Sequence, residues 1–117
     1  MCRICTEDML PNWRNIKEKI KQLIHDIDSH FQISKIILHG SFARGDYHEN
    51  SDVDLIIIGD FKERFFDRIG KILDLAPDDL IIEPMVYNEE EIYKMIKDEN
   101  PFILTAIKEG ITLLDNT

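Results

Sequence analysis

The chain has 117 residues, of which 44% are hydrophobic and 32% are charged, and its formal net charge at pH 7 is −9. This length fits one domain with its own core, and the composition is typical of a globular protein and unlike that of a disordered one. The acidic balance argues against the broad basic face by which proteins bind long nucleic acids, so we expect no such partner.

No segment of the sequence predicts a membrane span. The longest apolar run, residues 55–58, is far shorter than the roughly 20 residues that cross a bilayer, and residues 1–5 lack the apolar stretch of a signal peptide. We therefore expect a cytoplasmic protein with one domain over residues 1–117, in which residues 1–10 are a loosely ordered segment. Cys2 and Cys5 lie in that segment, and without further ligands at metal spacing they are interpreted as incidental thiols.

The first predicted helix has apolar residues at spacings of three and four, which indicate one buried helical face. These residues are Trp13, Ile16, Ile20, Leu23, Ile24, Ile27 and Phe31. Pro11 suits the first turn of such a helix. A strand is predicted at residues 33–39, and it stops at Gly40-Ser41. Residues 42–44 can open a short helix, which Gly45 would end.

The middle of the chain predicts two strands separated by a helix. Residues 46–51 are polar and predict a loop, and residues 52–58 are rich in β-branched side chains and predict a central strand. A helix is predicted at residues 61–75 from apolar residues at helical spacing, namely Phe65, Phe66, Ile69, Ile72 and Leu73. Residues 80–87 predict a third strand, in which Pro84 indicates an edge position or a bulge.

Two helices and a short strand complete the predicted elements. Residues 89–97 predict a helix with an acidic first turn, and its inward residues are Ile92, Met95 and Ile96. A helix is predicted from residue 100 to about residue 109, capped by Gly110, and residues 111–114 predict a strand. This order of elements predicts an α/β (α+β) fold with a small mixed sheet and flanking helices.

The Gly40-Ser41 turn is the first feature that bears on function. The start of a helix exposes backbone N–H groups, and a glycine lets the backbone approach a phosphate closely, so the turn can hold an anion. The alternative is a plain helix cap, in which Ser41 satisfies only the N–H groups of its own helix.

Asp52 and Asp54 are the second feature. Residues i and i+2 of a strand point to the same face, with Cα atoms about 6.5 Å apart. Two carboxylates about 5 Å apart repel each other by roughly 3 kcal/mol at an effective dielectric constant near 20, and Mg²⁺ would offset that repulsion. The alternative is that both aspartates are exposed loop residues before the strand.

Glu83 lies among apolar residues of the third predicted strand. A charge there breaks the apolar pattern unless that face opens onto a site, so Glu83 is a candidate third carboxylate. The alternative is a solvent-facing glutamate on an edge strand. His39 is interpreted as a packing residue at the end of its strand.

Gly40-Ser41, ten intervening residues and then Asp52-x-Asp54 form a pattern that resembles the nucleotidyltransferase superfamily related to DNA polymerase β. More closely, Gly-Ser-Phe-Ala-Arg-Gly at residues 40–45 and Ser-Asp-Val-Asp-Leu at residues 51–55 are similar to the minimal nucleotidyltransferase (MNT) family. The resemblance extends over almost the whole chain, including Asn-Pro-Phe at residues 100–102.

The resemblance implies roles for six residues. Three carboxylates would be catalytic and would hold two Mg²⁺ ions: Asp52, Asp54 and Glu83. Three residues would bind the phosphates of the nucleotide: Gly40, Ser41 and Arg44. In the family the third carboxylate commonly serves as the base for the acceptor hydroxyl. Here it is Glu83 where an aspartate is expected, and a proline follows it.

The resemblance also implies a reaction and a partner. The reaction would be transfer of AMP from ATP to a hydroxyl, with release of pyrophosphate. Proteins of the MNT family resemble antitoxins that are paired with HEPN-domain toxins, so the expected acceptor is a tyrosine of a partner HEPN toxin. The alternatives are an antitoxin that acts by occlusion without turnover, and transfer to a small molecule. A homo-oligomer or hetero-oligomer is compatible with the sequence.

Overall fold

The computed structural model describes residues 13–44 and 52–116. The elements of these residues follow the predicted order: α1 (Trp13–His30), β1 (Ile33–His39), α2 (Ser41–Arg44), β2 (Val53–Gly59), α3 (Phe65–Leu73), β3 (Ile82–Tyr87), α4 (Glu89–Lys97), α5 (Pro101–Glu109) and β4 (Ile111–Asp115). The predictions for residues 1–10, Pro11, Gly45 and the loop at residues 46–51 lie outside the described residues. No helix within the described residues is long and apolar enough to cross a membrane.

The four strands form one mixed sheet in the order β3-β2-β1-β4, which confirms the predicted fold class. β1 is antiparallel to both β2 and β4, whereas β2 is parallel to β3. Parallel neighbours need a crossover connection, and α3 lies in the connection between β2 and β3. β3 is an edge strand, as Pro84 predicted, because proline cannot donate a hydrogen bond to a second neighbouring strand.

One face of the sheet packs against α1 and α3. Side chains alternate between the two faces of a strand, so every second residue of each strand contributes to this cluster. Its buried strand residues are Ile33, Ile36, Leu38, Val53, Leu55, Ile57, Ile82 and Val86. Ile16, Ile20, Leu23, Ile24 and Ile27 of α1 are buried against them, which confirms the apolar face predicted for this helix.

The opposite face packs against α4 and α5. Its buried cluster is smaller and consists of Ile37, Ile56, Ile58, Tyr87, Ile92, Ile103 and Ala106. Continuing the alternation toward the end of β1 and the start of β2 assigns His39 and Asp54 to this same face. The face therefore changes from apolar to polar at one end, and the candidate functional residues lie there.

Ile96 of α4 was predicted to face inward but is exposed, and so are Phe66 and Leu73, two of the apolar residues whose spacing predicted α3. Their exposed fractions are 83% for Phe66, 46% for Leu73 and 40% for Ile96. α3 begins at Phe65, four residues later than predicted, and its stripe toward the protein consists of Phe65, Arg68, Ile69 and Ile72. A hydrophobic pattern could not identify this stripe because a buried arginine occupies one of its positions.

Arg68 joins α3 to the end of β3 and the start of α4. Its side chain is 8% exposed and donates hydrogen bonds to the carbonyl of Glu63 at 2.8 Å and to a carboxylate oxygen of Glu91 at 2.7 Å. The same Glu91 oxygen accepts from the backbone N–H of Asn88 at 2.7 Å and so closes the capping box of α4. Burial acts to raise the pKa of Glu91, but the Asn88 N–H and the Arg68 guanidinium outweigh it and hold that pKa below its usual value.

Candidate active site

The turn after β1 requires glycine for two reasons. Gly40 has a backbone φ of +75°, in the left-handed region that favours glycine. A Cβ atom on Gly40 would lie 2.1 Å from Oδ2 of Asp54, so that carboxylate would have to move to admit any side chain there. The turn closes with a hydrogen bond from the N–H of Ala43 to the carbonyl of Gly40 at 3.1 Å, and the buried Phe42 anchors α2 in the core. The glycine therefore brings the backbone directly against Asp54.

The two aspartates lie at the start of β2. Asp54 is within the strand, and Asp52 immediately precedes it, where the N–H of Val53 donates to the carbonyl of Ile81 at 2.8 Å. Both side chains are half-buried, whereas Val53 and Leu55 point into the core on the other face. The interpretation of Asp54 as an exposed loop residue is therefore wrong, and alternation directs both carboxylates to the α4/α5 face.

Glu83 joins these two aspartates because β3 is parallel to β2. The register pairs Asp54 with Glu83, so their side chains lie on the same face of neighbouring strands. Hydrogen bonding to Asp52 is the largest cause of a raised pKa at Glu83, followed by burial, the charge of Asp52 and the proximity of Asp54. The side chain is exposed, as the alternative for an edge strand stated, yet it contacts the other carboxyl groups. We refer to Asp52, Asp54 and Glu83 as the carboxylate cluster.

The carboxylate cluster fits a divalent cation by its chemistry. Three carboxyl groups supply the oxygen ligands that Mg²⁺ prefers. Their mutual repulsion, visible in the raised pKa of Glu83, would be offset by a cation. Within residues 13–44 and 52–116, no three His, Cys, Asp or Glu side chains are already arranged around a point that could hold a metal ion. Binding would therefore require these carboxyl groups to rearrange around the ion.

His39 belongs to the same row of residues, a position that the sequence interpretation did not predict. The register pairs His39 with Asp54 on the side opposite Glu83, so Glu83, Asp54 and His39 lie side by side across three strands. His39 also packs edge-to-face with Phe102 of α5, with ring centroids 5.5 Å apart. It is thus a packing residue, as expected, but it packs beside the carboxylate cluster. The alternation of β1 from Ile37 onward was the sequence signal for this face.

A cavity of about 410 Å³ opens beside this row, between the end of β1 and α5. We call it the β1–α5 cavity, and its lining residues are His39, Gly40, Pro101, Phe102, Thr105, Ala106 and Glu109. Four of the α5 residues follow the spacing i, i+3, i+4, i+7, which is one stripe of a helix. The cavity thus begins at Gly40, the residue that contacts Asp54, and extends along one stripe of α5.

Ser41 and Arg44 are the remaining predicted site residues. Both lie in α2, the four-residue helix that follows Gly40. Ser41 is its first residue, so its backbone position next to the glycine turn agrees with the prediction. The roles assigned to their side chains stay predictions.

The chain matches the nucleotidyltransferase domain family over residues 20–110. It is 38% identical over 102 residues to a Methanocaldococcus jannaschii protein named as a candidate protein adenylyltransferase, covering 85% of this chain and 98% of that one. A second M. jannaschii protein with the same kind of name is 35% identical over 81 residues, covering 63% of this chain and 81% of that protein.

Two solved structures share the fold. A candidate nucleotidyltransferase from Sulfolobus solfataricus has a TM-score of 0.64 at 19% identity, covering 99% of this chain and 91% of that one. A toxin–antitoxin structure with AMP-PNP contains a chain with a TM-score of 0.54 at 17% identity, covering 86% of this chain and 74% of that one. The predicted resemblance is confirmed by the family match and the 38% identical relative. The chain belongs to the nucleotidyltransferase domain family.

Proposed function

We propose that this protein transfers AMP from ATP to a hydroxyl group of a partner protein, that the acceptor is a tyrosine of a HEPN toxin, and that the protein acts as an antitoxin. The observation that carries the proposal is the carboxylate cluster, assembled directly beside the Gly40 turn. Two relatives named as candidate protein adenylyltransferases support a protein acceptor. The fold shared with a toxin–antitoxin structure is compatible with an antitoxin role.

The glycine turn would bind the triphosphate. Gly40 and Ser41 would direct backbone N–H groups at the β- and γ-phosphates, and Arg44, within the same short helix, would add a positive charge. The close packing of Gly40 on Asp54 supports this arrangement, since the phosphates and the carboxylates would then be neighbours.

The carboxylate cluster would hold two Mg²⁺ ions. Asp52 and Asp54 would be the main ligands, and Glu83 would complete the set. Bound Mg²⁺ supplies positive charge that offsets the triphosphate and the charge that develops on the attacking and leaving oxygens. The proximity of these three carboxyl groups, through which Asp52 and Asp54 raise the pKa of Glu83, supports this assignment.

The transfer would then proceed as one displacement at the α-phosphorus. The acceptor hydroxyl oxygen forms a bond to the α-phosphorus, while the bond to the oxygen that bridges the α- and β-phosphates breaks and pyrophosphate leaves. The hydroxyl proton passes to the carboxylate of Glu83. Glu83 lies beside Asp54 in the register of β2 and β3, which favours it as the base.

The direct test is transfer of label from ATP. The protein is incubated with Mg²⁺, ATP labelled at the α-phosphate and the protein encoded by the neighbouring gene. We expect label on a tyrosine of that partner, identified by mass spectrometry. Asp52→Asn and Asp54→Asn should each abolish the label, because each removes a carboxylate but keeps the size of the side chain. Asp60→Asn is the matched control, since Asp60 follows the far end of β2 and is exposed.

Three outcomes would contradict the proposal. Label transfer that persists in both Asp52→Asn and Asp54→Asn would remove the carboxylates from the reaction. Neutralisation of the toxin by the wild type, without any label on the toxin, would indicate an antitoxin that acts by occlusion. Label on added small molecules but not on the partner would replace the proposed acceptor with a small molecule.

A further inference from the structure

The row of Glu83, Asp54 and His39 has two distinct sides. Glu83 lies on one side of Asp54, and His39 and Gly40 lie on the other. Under the proposed function, on which this inference rests, the acceptor approaches Glu83 and the phosphates lie at Gly40. A nucleotide bound in this way has its nucleoside within reach of the β1–α5 cavity, because the cavity begins at Gly40 and His39. His39 is the residue that β1 places beside Asp54.

The lining of the cavity suits a flat aromatic ring more than a phosphate. Phe102 and His39 offer aromatic surfaces, and Pro101 and Ala106 offer small apolar walls. Among the residues that the structure describes, its lining contains no lysine or arginine, and Glu109 would repel an anion placed near it. The phosphates would therefore stay at the Gly40 end, while the uncharged end of the nucleotide would extend along α5.

The size of the cavity and its few polar groups also suit an aromatic heterocycle that carries hydrogen-bond donors and acceptors along its edge. A volume of about 410 Å³ falls within the range of small-molecule sites, which combine apolar walls with a few polar groups. Thr105 can donate to a ring nitrogen, and the carboxylate of Glu109 can accept from an amino group. Adenine, guanine and cytosine carry an exocyclic amino group, whereas uracil does not.

We propose that the β1–α5 cavity binds the base of the nucleotide, that Phe102 stacks on its ring, and that Glu109 selects bases that carry an exocyclic amino group. Phe102 has 46% of its surface exposed, so a large part of its ring is available to a ligand. A base stacked on an aromatic side chain typically gains enough free energy to change affinity by about tenfold. Phe102 and Glu109 are thus specificity residues of the nucleotide site.

The test measures binding without any acceptor. The ligands are the α,β-methylene analogue of ATP, the corresponding uridine analogue, and inorganic tripolyphosphate, each with Mg²⁺ and measured by calorimetry. We expect Phe102→Ala to lower the affinity for the ATP analogue about tenfold. The affinity for tripolyphosphate should change less than twofold. Phe102→Leu, which keeps apolar volume, should show a smaller loss. Glu109→Gln should lower the preference for the ATP analogue over the uridine analogue about fivefold.

Two exposed apolar residues outside the cavity provide matched controls. Leu104→Ala changes the same helix at a residue that is 39% exposed, and Phe66→Ala removes an exposed phenylalanine from α3. Both should bind all three ligands like the wild type. Circular dichroism and thermal unfolding verify that each variant is folded.

Two results would overturn the inference. One is unchanged binding of the ATP analogue by Phe102→Ala; if this variant also fails to label the protein acceptor, the cavity is assigned to the acceptor. The other is an equal loss of affinity for tripolyphosphate, which would indicate a phosphate contact or a change in the fold. If base-dependent binding holds but no acceptor is ever labelled, the inference stands and the proposed function fails.

Discussion

The two ends of β3 place glutamates in opposite electrostatic surroundings. At its start, Glu83 meets Asp52 and Asp54, and its pKa is raised. Just beyond its end, Glu91 meets Arg68 and the Asn88 N–H, and its pKa is lowered. The charge at Glu91 is compensated within the protein and ties three elements together. Among the described residues, the charged groups that raise the pKa of Glu83 are both carboxylates, and a cation would offset their repulsion. The difference separates a structural carboxylate from one that is available for ligand binding.

The largest expected effect is at the carboxylate cluster, beside the start of β3. Asp54→Asn should lower the rate of AMP transfer by about 1,000-fold, since loss of a metal ligand removes several kcal/mol of transition-state stabilisation. In metal-free protein the same substitution should leave the melting temperature unchanged or higher, because it removes a repelling charge. Label-transfer rates and thermal unfolding in chelator measure the two effects. A large loss of stability would instead indicate that Asp54 is structural.

The next largest effect is expected at Arg68 and Glu91, just beyond the end of β3. Arg68→Ala should destabilise the protein by about 2 kcal/mol, because it leaves the Glu91 carboxylate without its cation and removes the hydrogen bond to Glu63. The estimate is below the usual range for a buried pair because Glu91 is 42% exposed and stays partly hydrated.

Urea unfolding measures this change, with Arg64→Ala as its control. Arg64 is exposed and precedes α3, so its substitution should change the free energy of unfolding by less than about 0.5 kcal/mol. Adding Glu91→Gln to Arg68→Ala should recover part of the loss, since the uncompensated charge disappears. Equal effects of the two arginine substitutions would contradict the role of Arg68.

A smaller effect is expected from the cation itself. Mg²⁺ at ten times its dissociation constant should stabilise the wild type by about 1.4 kcal/mol, because it binds only the folded carboxylate cluster. The melting temperature should rise with Mg²⁺ in the wild type and return on chelation, and it should not rise in Asp54→Asn. A Mg²⁺-dependent rise of equal size in both proteins would place the ion elsewhere.

The smallest effect is the pH dependence of Glu91. A folded-state pKa below the ordinary value of 4.5 contributes stability that is present above pH 4.5 and is lost as the pH falls through the folded-state pKa. The stability difference between the wild type and Glu91→Gln should therefore shrink below pH 4.5, by less than about 1 kcal/mol because the carboxylate is partly exposed. Urea unfolding at pH 7 and pH 3.5 measures it. Glu90→Gln, at the exposed neighbouring position, should show no comparable change.

Local patterns predicted most of the fold. The order of the elements, the apolar face of α1 and the edge position of Pro84 are all short-range properties, and all are confirmed. The inward orientation predicted for Ile96 was wrong, and Phe66 and Leu73, which helped to predict α3, are exposed. Which stripe of a short helix is buried depends on what the helix packs against, and in α3 that stripe includes Arg68.

The sequence by itself determined the Gly40 turn and the pair Asp52 and Asp54, because both depend on residues close together along the chain. Only the tertiary structure decided that Glu83 joins them and that His39 lies on their other side. A strand's alternation predicts which face a side chain takes, but not which strand lies next to it or in what register. The parallel pairing of β2 with β3 and the antiparallel pairing of β1 with β2 supplied that information, and they completed the site.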